Sequence, residues 1–380
     1  MELIFWLASL LVIYIYIGYP ILLKYLPKLP APTNEDATNY QPNITILIPA
    51  FNEAKVIEAT IRNKLEQAYP AESVQIIVIS DESEDGTDEI VKHLSASDAR
   101  INLIRQIPRQ GKTSGLNLAM SQATGEIIIF SDANSHYRPN AIQELVNCFK
   151  SPDVGYVTGK MVYTNSDGSL AGDGCSAYMK YENHMRHLES QIGSIVGVDG
   201  GIDAIRKELY QPMNPDQLPD FVLPLKVITQ GKRVIFCEHA LLNEESLSNA
   251  QSEFRMRVRV SLRAYWAMWD MKHLFNPFTY KIFTLQLASH KLLRYLAFIP
   301  LLLAFVSNGF ITGESNFYQF TFLIQILFYG LAAFVALNDG TNNRWLGLVH
   351  YFCLINTASA MACLKFIKGE KIVLWKPRVG

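Results

Sequence analysis

Short polar side chains follow several apolar runs of the sequence, where they could bind a metal ion. Asp132 ends the run EIIIFSD, and Asn134 follows two positions later. Carboxylate and amide oxygens suit Mg²⁺ or Mn²⁺, and Mg²⁺ typically takes one or two carboxylates together with substrate phosphates. Helix capping is the alternative interpretation of this pair, because Asp and Asn also cap helices. The sequence therefore predicts either a metal site or a helix cap here.

Two further loops and one basic turn extend this set of polar groups. The first apolar run, ITILIPAF, contains Pro49 and is followed by Asn52 and Glu53, while Asp81 follows the run VQIIVIS. Turn and N-cap chemistry explains these residues equally well. The segment RQGK ends in Lys112 and opens a predicted helix, where backbone N–H groups and the lysine could contact an anion.

Five apolar runs of strand length would position these side chains. They are ITILIPAF (44–51), VQIIVIS (74–80), INLIRQ (101–106), EIIIFSD (126–132) and VGYVTGKMVY (154–163). Helical patterns separate most of these runs, which predicts an α/β fold with a mostly parallel sheet and helices on both faces. Ligands of such sheets bind at the carboxyl ends of the strands, and these are the positions of the polar residues.

Membrane-like segments are found at both ends of the chain. Residues 3–23 are nearly uncharged and long enough to cross a bilayer, and Lys24 and Lys28 follow them, which predicts that the next segment is cytoplasmic. Apolar runs at 292–306, 317–337 and 345–367 predict about three more spans. Three crossings would put the basic C-terminal tail outside, so the alternative is that one segment is re-entrant or lies flat.

These patterns predict six segments. They are an N-terminal transmembrane helix (1–25), a linker (26–42), the α/β domain (43–248), interfacial amphipathic helices (249–288), about three transmembrane helices (289–367) and a tail (368–380). Within the fourth segment, Arg255, Arg259 and Arg263 share one helical face beside Tyr and Trp residues, as in helices that lie in the membrane interface. A solvated face touching anionic lipid head groups is the alternative for these arginines.

Composition excludes some classes of function. The formal net charge is −1, from 34 basic and 35 acidic residues, so no general attraction to nucleic acid is expected. The five cysteines show no CxxC spacing, which argues against a zinc site or a disulfide framework.

Five motifs in order resemble the family 2 glycosyltransferases, whose nucleotide-diphospho-sugar-binding domain has the GT-A fold. They are IPAFNE (48–53), DESEDGT (81–87), RQGKTSGLNLAM (109–120), FSDAN (130–134) and LPDFVLPLKVITQGKRV (218–234). The flanking spans are similar to those of the membrane-integrated branch that includes the cellulose and poly-N-acetylglucosamine synthases. The resemblance implies a cell-membrane, multi-pass enzyme with a cytoplasmic catalytic domain and a role in cell-envelope or exopolysaccharide synthesis.

The resemblance also implies roles for individual residues. Asp81 matches the acid that contacts the nucleotide, and Pro49, Asn52, Glu53 and Lys112 are placed in the same nucleotide-sugar pocket. Asp132 matches the first acid of the DxD motif, which binds Mg²⁺ or Mn²⁺ at the donor diphosphate. Asn134 replaces the second acid and removes one negative charge.

Asp220 matches the family's catalytic base, although Pro219 stands where an acid is usual. A carboxylate base takes the proton from the acceptor hydroxyl, while the metal stabilises the charge on the leaving phosphates. One base and one displacement predict inversion at the anomeric carbon. The donor is expected to be UDP-linked, and the acceptor a glycan or a lipid-linked sugar.

The processive members carry a Q(Q/R)xRW motif that is only partly matched here. Arg259 is the candidate for its arginine, but Val260 stands where the tryptophan would follow. Single-sugar transfer is therefore an option, and a polyprenyl-phosphate glycosyltransferase is one alternative. The other is an inactive membrane scaffold with partners in an envelope-synthesis complex, which Asn134 and Pro219 would suit.

Overall fold

The computed structural model describes residues 1–29, 40–163, 170–244, 250–338 and 343–372. Much of the predicted linker, at 30–39, and most of the predicted tail, at 373–380, lie outside the described residues. The described residues form two compact units. The helical unit lies within Met1–Pro27, Asn165–Leu188 and Glu245–Glu370, and the sheet unit lies within Lys28–Thr164, Glu189–Glu244 and Lys371–Gly380.

The sheet unit contains one mixed sheet. Its strands are β1 Ile44–Ala50, β2 Val74–Ser80, β3 Ile101–Arg105, β4 Ile127–Ser131, β5 His136–Tyr137, β6 Val154–Tyr163, β7 Ile202–Arg206 and β8 Arg233–Glu244. The spatial order is β3-β2-β1-β4-β7-β6-β8-β5. The strands β3, β2, β1 and β4 are parallel to one another, whereas β7 is antiparallel to both of its neighbours, β4 and β6.

The parallel strands form where the sequence has unbroken runs of β-branched and other apolar residues. Ile46, Leu47 and Ile48 in β1 are fully buried, which requires cover on both faces of the sheet. Pro49 is accommodated in this central strand because β4 pairs with β1 only as far as Leu47. Beyond that point, the missing N–H of proline removes no ladder bond to β4.

The helices surround this sheet or form the helical unit. Their bounds are α1 Glu2–Ile13, α2 Tyr19–Tyr25, α3 Ile57–Leu65, α4 Thr87–Ser97, α5 Lys112–Ala119, α6 Ala141–Cys148, α7 Leu170–Ile192, α8 Pro219–Thr229, α9 Ala250–Asp270, α10 Pro277–Tyr280, α11 Ile282–Gln286, α12 Leu293–Tyr295, α13 Phe298–Ile311, α14 Asn316–Leu337 and α15 Arg344–Ile367. Among the residues that the structure describes, two π-helical segments, Tyr14–Gly18 and Leu287–Leu292, interrupt the helical unit.

Three helices among the described residues are long and apolar enough to cross a membrane. They are Glu2–Tyr25, Asn316–Leu337 and Trp345–Ile367. The predicted span at 292–306 falls instead on two helical segments, Ile282–Tyr295 and Phe298–Ile311, which meet at a bend of 57°. Counted as one broken or re-entrant span, this pair would raise the number to four.

The division into units differs from the predicted domain boundaries at α7. The predicted α/β domain, 43–248, included this helix, but its residues up to Leu188 group with the helical unit. Glu182 on α7 contributes to this grouping, since its carboxylate pairs with His290 and Arg294 on the helices that lead into α13. Charged contacts that are long-range in sequence are not visible in local apolar patterns.

Candidate active site

The polar residues singled out in the sequence collect at one edge of the sheet. Parallel strands end at the same edge, so the segments after β1, β2 and β4 bring Asn52, Asp81 and Asp132 to one side of the sheet unit. Because β7 runs antiparallel to β4, the start of β7 lies at this edge as well, with Ile202 opposite Ser131. The edge therefore collects residues from four parts of the sheet unit.

Lys112 joins two of the predicted site carboxylates. Its Nζ lies 2.8 Å from Asp132 Oδ1 and 3.6 Å from Asp220 Oδ1. These carboxylates are far apart in sequence, and one ammonium group holds both. Burial alone would lower the pKa of Lys112, but Asp132 and Asp220 raise it above its ordinary value. The lysine is therefore cationic at neutral pH.

The first turns of two helices position Lys112 and Asp220. Lys112 is the first residue of α5, and Asp220 lies in the first turn of α8. Pro219 begins α8, a position where proline is favoured because its missing N–H would have had no helical partner. Helix initiation thus accounts for a proline where the resemblance suggested an acid.

A glycine allows the backbone to approach Asp220 closely. Gly200 has φ +85°, and a Cβ built on it would lie 2.4 Å from Asp220 Oδ2. Any other residue would be strained in its backbone and would push against this carboxylate. The Gly-Gly turn before β7 therefore sets the space in which Asp220 lies.

Asp203 lies within this candidate site, and the sequence patterns did not predict it. It is fully buried on β7, and its Oδ2 accepts a hydrogen bond of 3.0 Å from Gly200 N. Burial, reinforced by the charge of Asp220, raises the pKa of Asp203 to about 8. The signal in the sequence was a lone carboxylate within the apolar segment IDAI.

The raised pKa predicts an effect of Asp203→Asn on stability. Between about pH 4 and pH 8 the folded protein keeps a proton that the unfolded chain releases. The stability that this proton contributes is fully present below the unfolded pKa. It falls by roughly 1.4 kcal/mol per pH unit between the two pKa values and is lost once the pH has risen through the folded pKa. The variant lacks this titration, so its stability relative to the native protein should increase from pH 5 to pH 8.

Thermal unfolding of both proteins in the same detergent, at several pH values, would measure this difference. Subtracting the two curves cancels the titration of every other group that the substitution leaves unchanged. A difference that does not vary between pH 5 and pH 8 would contradict a raised pKa for Asp203.

Asp81 forms hydrogen bonds to the turn that precedes Lys112. Its carboxylate accepts hydrogen bonds from Gln110 N at 2.9 Å, from Gly111 N at 3.0 Å and from the side chain of Gln106. The side chain of Arg109 also pairs with it, at 3.4 Å, and stacks on the ring of Phe51. These bonds fix the loop from which α5 starts, and the contact of Asp81 with a nucleotide stays a prediction.

Asn52 and Glu53 hold the neighbouring loop after β2. The side-chain carbonyl of Asn52 accepts a bond of 2.9 Å from Glu84 N, and Glu53 N donates to Thr87 Oγ1 at 2.9 Å. Asn52 and Glu82 both have positive φ, which is uncommon outside glycine. Such strained positions tend to cluster at functional sites.

The donors at Asp132 and Asn134 fit a divalent metal whose remaining ligands come from a substrate. The side chain of Asp132 is 42% exposed and Asn134 is half-buried, so both can be reached from solvent. No cluster of three or more Asp, Glu, His or Cys able to hold a metal occurs within the described part of the chain. One carboxylate and one amide are sufficient for Mg²⁺ or Mn²⁺ only where phosphates complete the coordination.

Two residues of α3 support the loop after β4, and the sequence patterns did not predict them. Thr60 Oγ1 donates to Ala133 O at 2.6 Å, and Lys64 Nζ donates to Ser135 O at 2.6 Å. Lys64 is 1% exposed and lies 3.6 Å from the centre of the Tyr137 ring. Burial holds the pKa of Lys64 well below its ordinary value.

Arg259 lies on α9 in the helical unit, where it is half-buried. The three arginines of the predicted basic face differ in exposure, since Arg255 is exposed and Arg263 is buried. The face is therefore not uniformly solvated. The role of Arg259 at the donor diphosphate stays a prediction.

Comparisons with known proteins agree with this arrangement. Residues 45–211 match the protein-family model described as Glycosyl transferase family 2. The glycosyltransferase AglE of Haloferax volcanii is 25% identical over 136 residues, which are 36% of this chain and 45% of that protein. The poly-beta-1,6-N-acetyl-D-glucosamine synthase of Staphylococcus aureus is 27% identical over 165 residues, which are 43% of this chain and 39% of that protein. The chain thus spans under half the length of both relatives.

One solved structure is similar along nearly the whole chain. It is a mannosyltransferase from Pyrobaculum calidifontis in complex with GDP-Man and Mn²⁺, with a TM-score of 0.73 and 21% sequence identity. The alignment covers 97% of this chain and 99% of that one. The likeness extends to the helical segments as well as the sheet, and it establishes a shared fold.

Proposed function

We propose that the protein transfers a sugar from a nucleotide-sugar to a hydroxyl acceptor with inversion, because residues 45–211 match the glycosyl transferase family 2 model. The observation that supports this most directly is the contact of Lys112 with both Asp132 and Asp220. It brings a residue suited to a metal–diphosphate site and a residue suited to proton removal to one place. An inactive scaffold would not need these groups to meet.

In the proposed reaction, each residue has a separate task. Asp132 and Asn134 would hold Mg²⁺ or Mn²⁺, which supplies positive charge for the departing nucleoside diphosphate. Lys112 adds a second positive charge beside that metal position. Asp220 accepts the proton of the attacking hydroxyl, which makes the oxygen a stronger nucleophile. Asp81 and Gln106 keep the turn before Lys112 in place.

The substrates follow from the family resemblance and the relatives. We expect UDP-sugars to be donors, with GDP-sugars tested alongside because the mannosyltransferase of similar fold was solved with GDP-Man. The acceptor is proposed to be a glycan or a lipid-linked sugar of the cell envelope or an exopolysaccharide. The apolar helices fit a location in the bilayer, with the sheet unit on the cytoplasmic side.

The test is release of UDP or GDP by the full chain purified in detergent, using a panel of nucleotide-sugars with a membrane lipid extract as acceptor source. Mn²⁺, Mg²⁺ and EDTA are compared, and the anomeric configuration of the product is read by NMR. Turnover of one donor that EDTA abolishes, giving an inverted product, is expected. A retained configuration would contradict the single-displacement mechanism, and no turnover with any donor would favour the scaffold alternative.

A further inference from the structure

A cavity in the helical unit contains charged groups that the proposed reaction does not use. Its volume is about 60 Å³, enough for roughly four or five water-sized groups. The described residues on its wall include four basic side chains and one carboxylate, which are Arg257, His290, Lys291, Arg294 and Glu182. Charged groups buried among apolar helices are uncommon and usually have a function.

Glu182 organises one side of this cavity. It is 2% exposed, and its carboxylate pairs with Arg294, with His290 Nε2 at 3.3 Å and with Lys291 Nζ at 3.8 Å. Burial alone would raise the pKa of Glu182, but the charge of these neighbours holds it well below the usual range. A single carboxylate thus faces several cationic groups, and Arg257 adds another cation to the wall while also pairing with Glu253 at 2.8 Å.

The backbone around the cavity is unusual. The two π-helical segments found in the described residues, Tyr14–Gly18 and Leu287–Leu292, both contribute to its wall, through Tyr16 and through His290 and Lys291. π-Helical turns are rare and occur frequently at functional sites. A π-helical turn changes the direction in which the following side chains leave the helix. Here both π-helical segments contribute polar side chains to the wall of the same cavity.

The surroundings favour a ligand that is part of a lipid. Tyr16 and Asn356, both on the wall, belong to the candidate spans Glu2–Tyr25 and Trp345–Ile367. Next to Tyr16 on the first span, Ile13 and Ile17 are 52% and 56% exposed, which leaves an apolar surface for acyl or isoprenoid chains. Hydroxyl and amide groups of Tyr16, Ser261, Asn356 and Ser359 add further hydrogen-bonding capacity to the wall.

We propose that this cavity binds the phosphate head group of a membrane lipid, with Lys291, Arg294 and Arg257 as its cationic contacts. A phosphomonoester carries about −1.5 to −2 charges at neutral pH and accepts hydrogen bonds through three oxygens. Arginine and lysine are the side chains that bind such groups most strongly. The site is distinct from the sheet-unit residues assigned to the nucleotide-sugar, and binding there does not depend on which sugar is transferred.

Neutralising one basic and one acidic residue of the cavity in separate variants tests the proposal without relying on activity. The full chain in detergent is titrated with a short-chain phosphatidic acid, and binding is followed by native mass spectrometry. Lys291→Gln removes a cation and should weaken binding about tenfold or more, the usual effect of losing one charged hydrogen bond. Glu182→Gln removes the competing carboxylate and should leave binding equal or tighter. Arg255→Gln, on the exposed surface of α9, is the matched control and should change nothing.

Four results would overturn the proposal. Equal weakening by Lys291→Gln and Glu182→Gln would indicate damaged packing, because both substitutions break the same ion-pair cluster. Weakening by Arg255→Gln alone would indicate adsorption to the helix surface. Inorganic phosphate bound as tightly as phosphatidic acid, or diacylglycerol of the same chain length bound equally well, would show that the cavity does not select a lipid phosphate.

Discussion

We expect Asp220→Asn to lower the rate of sugar transfer by about 10²–10⁴-fold, the usual contribution of a positioned general base. Asparagine keeps the size of the side chain and the helix start at Pro219, but its amide cannot take the proton of the acceptor hydroxyl. Steady-state release of the nucleoside diphosphate measures the effect. Donor binding should change little, since the loss concerns a step after binding.

Two companion variants separate this role from a structural one. Asp216→Asn removes a carboxylate four residues earlier that pairs with Lys371, and it should keep most of the activity. Gly200→Ala leaves Asp220 intact but displaces its carboxylate, so a large loss of activity is expected there too. An Asp220→Asn enzyme that retains more than about a tenth of the native rate would rule out Asp220 as the base.

The strands were predictable because the buried parallel part of the sheet has unbroken apolar runs. The predicted strands 74–80 and 154–163 match β2 and β6 at both ends, and the other three match within one or two residues. The predicted α/β, GT-A fold with flanking apolar helices is confirmed by the family match and by the mannosyltransferase structure. Strand β7 was missed because Asp203 and Arg206 interrupt its apolar pattern.

Candidate site residues could be predicted where they stand at single strand ends or helix starts, but not where they depend on contacts across the fold. Asp81, Lys112 and Asp132 stand out in the sequence, since each comes at a strand end or a helix start. Asp203 and Lys64 act from buried positions on β7 and α3, and only the tertiary structure brings them near the others. The same reason explains α7, whose partner groups are more than a hundred residues away.

The second large effect concerns the proposed metal site. We expect Asp132→Asn to raise the Mn²⁺ concentration needed for half-maximal transfer by tenfold or more, because one lost charged contact is worth roughly 1.5–3 kcal/mol. Asp132 supplies the one carboxylate of the proposed site, and the substitution also removes its ion pair with Lys112. The measurement is transfer rate against free Mn²⁺ at saturating donor. The rate at saturating metal separates weaker binding from lost chemistry.

Asn134→Asp should act in the opposite direction. It adds one carboxylate to the proposed site, and hard divalent cations bind more tightly as the charge of their oxygen ligands increases. The half-maximal Mn²⁺ concentration should therefore fall, provided that Asn134 contacts the metal. Because both variants exchange a carboxylate and an amide of nearly the same size, general damage to the loop would shift both in the same direction. If both variants shift the half-maximal Mn²⁺ concentration in the same direction, Asp132 and Asn134 are not the metal ligands. Shifts in opposite directions would identify them as the pair that holds the ion.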